Sequence, residues 1–136
     1  MKVADVMTRE VVTIAPDQPL RDALACFQRR RIRHLPVVEE GRLVGILTDR
    51  DFKRATPSRV SGASLDDFER VLDDTTVAQV MTKEPWVVGP EAELKFVAAV
   101  LVDKKFGAVP VVADGALVGI VSDIDLLRVL IRLLPD

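Results

Sequence analysis

Apolar positions follow two periods along this chain, and the same succession of periods occurs twice. Leu20, Ala23, Leu24 and Phe27 fall at i, i+3, i+4 and i+7, one face of a helix predicted over about 20–31. Leu94, Val97, Ala98 and Leu101 do the same for a helix over about 94–105. Before each helix lies an extended apolar stretch, Val11 to Ala15 or Trp86 to Gly89, ended by a turn at Pro16 or Pro90. After each come two short apolar runs: Leu35 to Glu39 with Leu43 to Leu47, and Val109 to Ala113 with Leu117 to Val121. Glu40-Gly41 and Asp114-Gly115 join the runs, as in a hairpin whose turn needs positive φ. A final helix is predicted from near Thr48 or Ser122. The second-copy runs are apolar nearly throughout, which predicts a sheet covered on both faces.

Shifting the sequence by 74 aligns it with itself from 3–54 onto 77–128 without a gap, and 20 of the 52 positions are identical. VADVMTRE at Val3 meets VAQVMTKE at Val77, and HLPVVEEGRLVGILTDRD at His34 meets AVPVVADGALVGIVSDID at Ala108. Two copies of one β-α-β-β-α unit follow, each opened by a short start, Val3 to Met7 or Val77 to Met81. The chain divides into a repeat at 1–55, a linker at 56–76 and a repeat at 77–136. The linker is expected to begin loop-like at Thr56 to Ala63 and to continue as a short helix from Ser64 to Leu72, with Ser64 and Asp67 as a capping box.

GILTDRD (45–51) and GIVSDID (119–125) carry the candidate chemistry. Each puts a hydroxyl at a strand-to-helix junction and a carboxylate three residues later. One reading is a capping box, with the carboxylate near the positive end of the helix. The other is a binding site: a carboxylate accepts from two vicinal hydroxyls, and a nearby hydroxyl serves a sugar or phosphate oxygen. Ser64 and Asp67 share the spacing without the preceding Gly-apolar-apolar strand, so spacing alone does not mark a site.

Composition narrows the function classes. The 136 residues are 49% hydrophobic and 29% charged, with formal net charge −2, which predicts a folded core and gives no drive toward nucleic acid. The one dense basic run, Arg29 to Arg31, reads as the solvated end of the first helix, with a phosphate contact or a partner surface as the alternative. A single cysteine, Cys26, excludes an intrachain disulfide and sits among apolar helix positions. The N-terminus does not read as a signal peptide, and the longest apolar runs are too short for a bilayer. A cytoplasmic protein with no membrane or nucleic-acid partner is expected. No nucleophile–base pair, metal-ligand cluster or Walker loop is legible, so neither a catalytic nor a metal site is expected.

Taken together, the doubled unit, its apolar-Pro-Val-Val strand, its glycine-bounded hairpin and its G-apolar-apolar-[ST]-x-x-D ending resemble a tandem pair of CBS (cystathionine-β-synthase) domains, or Bateman module. The resemblance covers nearly the whole chain and is similar in style to small stand-alone bacterial CBS-pair proteins. It implies an α/β (α+β) fold of two βαββα repeats related by pseudo-twofold symmetry, and a disc-shaped homodimer packed through the helices. It implies regulatory binding of AMP, ADP, ATP or S-adenosylmethionine, with no cofactor required. Under it, Thr48 and Asp51, and Ser122 and Asp125, meet ribose and phosphate. An adenine slot is expected at Thr13, Ile14 and Ala15 with Leu35 and Pro36, and at Val87, Val88 and Gly89 with Val109 and Pro110; the alternative for these side chains is ordinary core strands. Pro36 and Pro110 lack an N–H, which suggests an open rim there. Arg33, His34 and Arg50 are phosphate candidates in the first copy; Gly107, Ala108 and Ile124 replace them in the second, whose site should be weaker or take less phosphate. The implied role is a sensor that changes conformation and is read by an unidentified partner. The alternative is a structural dimerisation module with vestigial sites, suited by the apolar end LLRVLIRLL (126–134).

Overall fold

The computed structural model describes residues 1–57, 62 and 64–136. In chain order its elements are α1 (Val3–Val6), α2 (Leu20–Arg30), β1 (His34–Glu39), β2 (Arg42–Thr48), α3 (Asp49–Ala55), α4 (Leu65–Asp74), α5 (Val77–Val80), β3 (Thr82–Lys83), α6 (Leu94–Lys104), β4 (Ala108–Ala113), β5 (Ala116–Ser122) and α7 (Asp123–Leu133). The result is a mixed α/β fold of two repeats with antiparallel strand pairs.

Turn chemistry sets the hairpins. Glu40 and Gly41 take φ of 51° and 80°, and Asp114 and Gly115 take 52° and 81°. Paired positive φ is what a two-residue type I′ turn requires. The turns fix β1 against β2 and β4 against β5, with one register shift in each pair, at Val37/Val38 and Val111/Val112. β4 is buried at four successive residues, Ala108 to Val111, so both its faces are covered as its apolar sequence predicts.

The extended stretches before the helices add one residue each to the outer side of these hairpins. Ile14 lies parallel to Val37 and Val88 parallel to Val111. Ile14 N donates to Pro36 O at 3.1 Å and Val38 N donates to Ile14 O at 2.9 Å; Val88, Pro110 and Val112 repeat the pattern. These bonds explain the prolines. In a strand the N and C=O of one residue point to the same side, and the Pro36 carbonyl points toward Ile14. The missing N–H therefore faces away from β2 and removes no ladder bond. The open rim expected at Pro36 and Pro110 is absent: both are buried, and neighbouring backbone closes the strand.

Compact unit and sequence repeat divide the chain differently. The first unit is Val12–Pro85; the second is Met1–Val11 together with Trp86–Asp136. Leu20, Leu35, Val37, Leu47, Leu72 and Val77 anchor the core of the first unit, and Val3, Val97, Val109, Val111 and Val121 that of the second. Each short opening helix is thus core to the unit formed mainly by the other repeat. Val3 N and Ala4 N bond Ala92 O and Pro90 O, while Val77 N and Ala78 N bond Gln18 O and Pro16 O. Half-buried Cys26 packs on the first core.

The linker is more than a spacer. Its loop-like start falls largely outside the described residues, but α4 begins at Ser64 with the expected capping box and buries Leu72 in the first core. Arg21 on α2 forks onto Glu69 and Asp73 of α4. The guanidinium holds the Asp73 carboxyl below its ordinary range, and the Ser64 backbone N–H and hydroxyl do the same for Asp67. A depressed carboxyl stabilises the fold above its unfolded value, near pH 4, and that contribution is lost as pH falls through its folded value. We expect α4 to loosen as pH drops below about 4, and Arg21→Ala to speed α4 amide exchange a few-fold at neutral pH, the scale of an exposed pair. Exchange in α4 unchanged by the substitution would show that the fork contributes nothing.

Candidate functional site

The site is assembled separately in each unit, at the junction of the second hairpin strand with the following helix. In the first unit Thr48 caps α3. Its Oγ1 accepts from Asp51 N at 3.0 Å, and Asp51 Oδ2 accepts from Thr48 N at 3.1 Å. Ser122 and Asp125 form the same box at α7, at 3.2 and 2.9 Å. The capping reading of both motifs is therefore correct. Ser64 and Asp67 also form a box, at 3.1 and 3.2 Å, as the spacing predicts.

A third side chain separates the two candidate sites from that control. Thr82 Oγ1 donates to Asp51 Oδ2 at 3.2 Å. Thr8 Oγ1 donates to Asp125 Oδ1 at 3.2 Å and approaches Oδ2 at 3.5 Å. The Ser64–Asp67 box has no such threonine among the described residues. Sequence reasoning missed Thr8 and Thr82, although both stand in the Met-Thr pair common to the two copies. Nothing local in that pair indicates a partner more than 30 residues away.

Glycine explains how the threonines arrive. β3 lies antiparallel to β2, with Lys83 opposite Gly45 and Thr82 opposite Ile46. A Cβ on Gly45 would stand 2.5 Å from Met81 Sδ and 2.9 Å from Thr82 O. In the second unit, Thr8 and Ile120 exchange backbone bonds of 2.9 Å, and a Cβ on Gly119 would stand 2.6 Å from Met7 Sδ. The motif glycine thus leaves room for a methionine, and the methionine brings its neighbouring threonine onto the motif aspartate.

The other candidates fall around these junctions. His34 pairs in register with Thr48, and the Arg33 carbonyl accepts from Asp49 N at 3.0 Å, so Arg33 and His34 share one end of the hairpin with Thr48, Arg50 and Asp51. Ala108 pairs with Ser122, and the Gly107 carbonyl accepts from Asp123 N at 2.9 Å. Thr13 is exposed, Ile14 buried and Ala15 half-buried, with Ala15 N held by Gln18 Oε1 at 2.8 Å. Leu35 and Val109 are fully enclosed, and Pro36, Val88 and Pro110 are also buried, so these side chains serve the cores. Only their backbone could face a ligand.

The two carboxylates differ. Both hydrogen bonds to Asp51 fall on Oδ2, and Oδ1 accepts none from the described residues. Asp51 is half-buried, flanked by exposed Arg50. Asp125 is only 7% exposed, takes Thr8 on both oxygens and has Arg128 3.8 Å from Oδ1. Ile124 stands where the first unit has Arg50. Among the described residues, no helix is long and apolar enough to cross a membrane.

Comparison with known proteins adds three kinds of finding. A sequence profile for the CBS domain matches residues 3–58 and 77–132. The chain is 30% identical over 128 residues to the MJ1225 protein of Methanocaldococcus jannaschii, covering 93% of this chain and 46% of that protein, so it spans about half the length of that relative. Among solved structures, CBSX2 in complex with AMP is 28% identical with a TM-score of 0.80, covering 96% of each chain. The CBS domain pair of MJ0100, in complex with 5-methylthioadenosine and S-adenosyl-L-methionine, is 25% identical with a TM-score of 0.78, covering 97% of each chain.

Proposed function

Since the chain belongs to the CBS-domain family, we propose that it is a regulatory module that binds an adenosine nucleotide or S-adenosylmethionine. The observation that carries this reading is Asp51. Its carboxylate is fixed through Oδ2 by Thr48 and Thr82 while Oδ1 accepts no bond from the described residues. A carboxylate held this way can accept from the two hydroxyls of a ribose. Arg33, His34 and Arg50, gathered at the same end of the hairpin, suit a phosphate. The backbone of Thr13, Ile14 and Ala15 with Leu35 and Pro36 would then meet adenine. Val88, Gly107, Ala108, Val109, Pro110, Ser122 and Asp125 form the corresponding set in the second unit. Asp125 is enclosed and engaged by Thr8 and Arg128, so that site takes a less phosphorylated ligand or binds more weakly. The module works by binding one conformation better than another, with no chemistry performed, and acts as a homodimer that an unidentified protein reads.

Thermal unfolding with millimolar AMP, ADP, ATP and S-adenosylmethionine tests the reading. A ligand that binds only the folded state at about 100 times its Kd adds roughly 2.7 kcal/mol of stability. We expect at least one of the four to raise the midpoint by several degrees. No shift with any of them favours the second reading, a dimerisation module with vestigial sites, which the exposed apolar side chains of α7 support.

A further inference from the structure

Arg29 to Arg31 acquire cationic neighbours in the fold. Phe27 on α2 and Phe52 on α3 meet edge to face, with ring centroids 5.9 Å apart, which seats the last turn of α2 beside α3. The Arg33 carbonyl, accepting from Asp49 N at 3.0 Å, ties the residues after α2 to the start of α3. Arg29, Arg30 and Arg31 therefore lie at the same end of the first unit as Arg50, Lys53 and Arg54, and all six are exposed. Lys53 stands 3.8 Å from Asp49. The five arginines form no side-chain ion pair or hydrogen bond among the described residues.

The second unit builds the same elements without this charge. At the positions matching 29–31 and 49–54 it has 103–105 and 123–128, where three cations face three acids. The first unit has six cations and two acids there, a net charge of +4 in a chain whose total is −2. A helix C-terminus favours a cation in its last turn, and α6 ends with Lys104 alone. Folding and helix ends thus do not call for six. Nor does the proposed nucleotide site, because Lys53 and Arg54 occupy the last turn of α3, at the other end from the Thr48 cap.

A second copy of the same surface cannot cover these cations, since like charges would meet. Their occupant is anionic. Five of the six are arginine, whose planar fork matches the two oxygens of a carboxylate. Phe27 and Phe52, the rings of this region, pack on each other below the surface, so no ring is offered to stack a base. The net negative charge of the chain also disfavours nucleic acid. A carboxylate-rich protein segment needs no stacking platform.

We infer that the end of α2 and the outer surface of α3 in the first unit form a docking surface for an acidic segment, rich in aspartate and glutamate, of the protein that reads this module. The inference rests on the regulatory reading proposed above and deepens it by naming the chemistry of the partner.

Fluorescence anisotropy of a labelled peptide of glutamate and aspartate tests it on the full chain without nucleotide. At about 0.1 M salt the peptide should bind, and it should weaken at least about tenfold at about 1 M, where the reach of charges falls from about 10 Å to about 3 Å. Arg30→Glu with Arg31→Glu should weaken binding at least about tenfold. Lys104→Glu with Lys105→Glu changes the net charge by the same amount at the matching helix end of the second unit, and should leave binding within about twofold. Arg30→Gln with Arg31→Gln, a gentler change at the helix end, should still weaken it at least about threefold. No binding by the unaltered chain, or equal losses in the two glutamate variants, would overturn the inference. Tighter binding of a single-stranded RNA of the same length, lost in the Arg30 and Arg31 variants, would overturn the choice of an acidic protein segment. Thermal unfolding with AMP, measured in parallel, reads the nucleotide proposal independently.

Discussion

Replacing Asp51 by alanine is expected to lower affinity for the adenosine ligand by at least about 100-fold, to the point of no measurable heat in a calorimetric titration. Hydrogen bonds to a charged group contribute roughly 1.5–3 kcal/mol each. A carboxylate serving two ribose hydroxyls therefore accounts for roughly 3 kcal/mol or more, and every 1.4 kcal/mol is about a factor of ten. The substitution also removes half of a capping box, at a cost of about 1 kcal/mol in stability. Asp67 separates the two effects. It makes the same box with Ser64 at nearly the same distances, outside the candidate site. Asp67→Ala should lose similar or slightly less stability and no affinity. Equal affinity in Asp51→Ala and the unaltered chain would remove Asp51 from the site; equal losses of affinity in both variants would mean that folding, not binding, was measured.

Gly45→Ala should destabilise the protein by about 1–3 kcal/mol, the usual effect of forcing an atom into a filled space. The added methyl would meet Met81 Sδ at 2.5 Å, which can swing away, and the Thr82 carbonyl at 2.9 Å, which cannot move without shifting β3. Displacing β3 also draws the Thr82 hydroxyl from Asp51, so nucleotide affinity should fall with stability. Gly89→Ala provides the contrast. There the new Cβ meets only Val112 O, at 3.9 Å, an ordinary contact, and stability should stay within about 0.5 kcal/mol. Urea denaturation of the two variants side by side is sufficient. If both unfold at the same midpoint as the original, Gly45 is not held by close approach.

Much of the fold is legible in the sequence because it is local. Helix periodicity set α2 and α6, the acid-glycine pairs set the hairpins, and Ser/Thr-x-x-Asp set the starts of three helices. Half of the site is legible for the same reason: Thr48 with Asp51 and Ser122 with Asp125 are three residues apart. The other half is not. Thr82 reaches Asp51 across 31 positions and Thr8 reaches Asp125 across 117, and an internal repeat aligns each threonine with its own copy, away from the unit it joins. The glycine of the motif was the available signal. A capping box needs no glycine three residues before its hydroxyl, so Gly45 and Gly119 pointed to another segment lying against the strand. The prolines misled because a missing N–H restricts only one side of a strand, and at Pro36 and Pro110 that side is next to Ile14 and Val88.

Exchange of the opening segments has a consequence for the order in which the chain can fold. As the polypeptide emerges, residues 1–11 have no place to dock until the far strands and α6 of their unit have been made. The first unit, in turn, waits for Val77 and Thr82 after the linker. Contacts spanning most of the chain slow folding, because loop closure must precede the contacts that repay it. A fragment cut at the repeat boundary, 1–76, would carry an orphaned first segment and lack its own β3. Severing the two repeats should therefore yield two incomplete, aggregation-prone pieces that recover structure only when mixed.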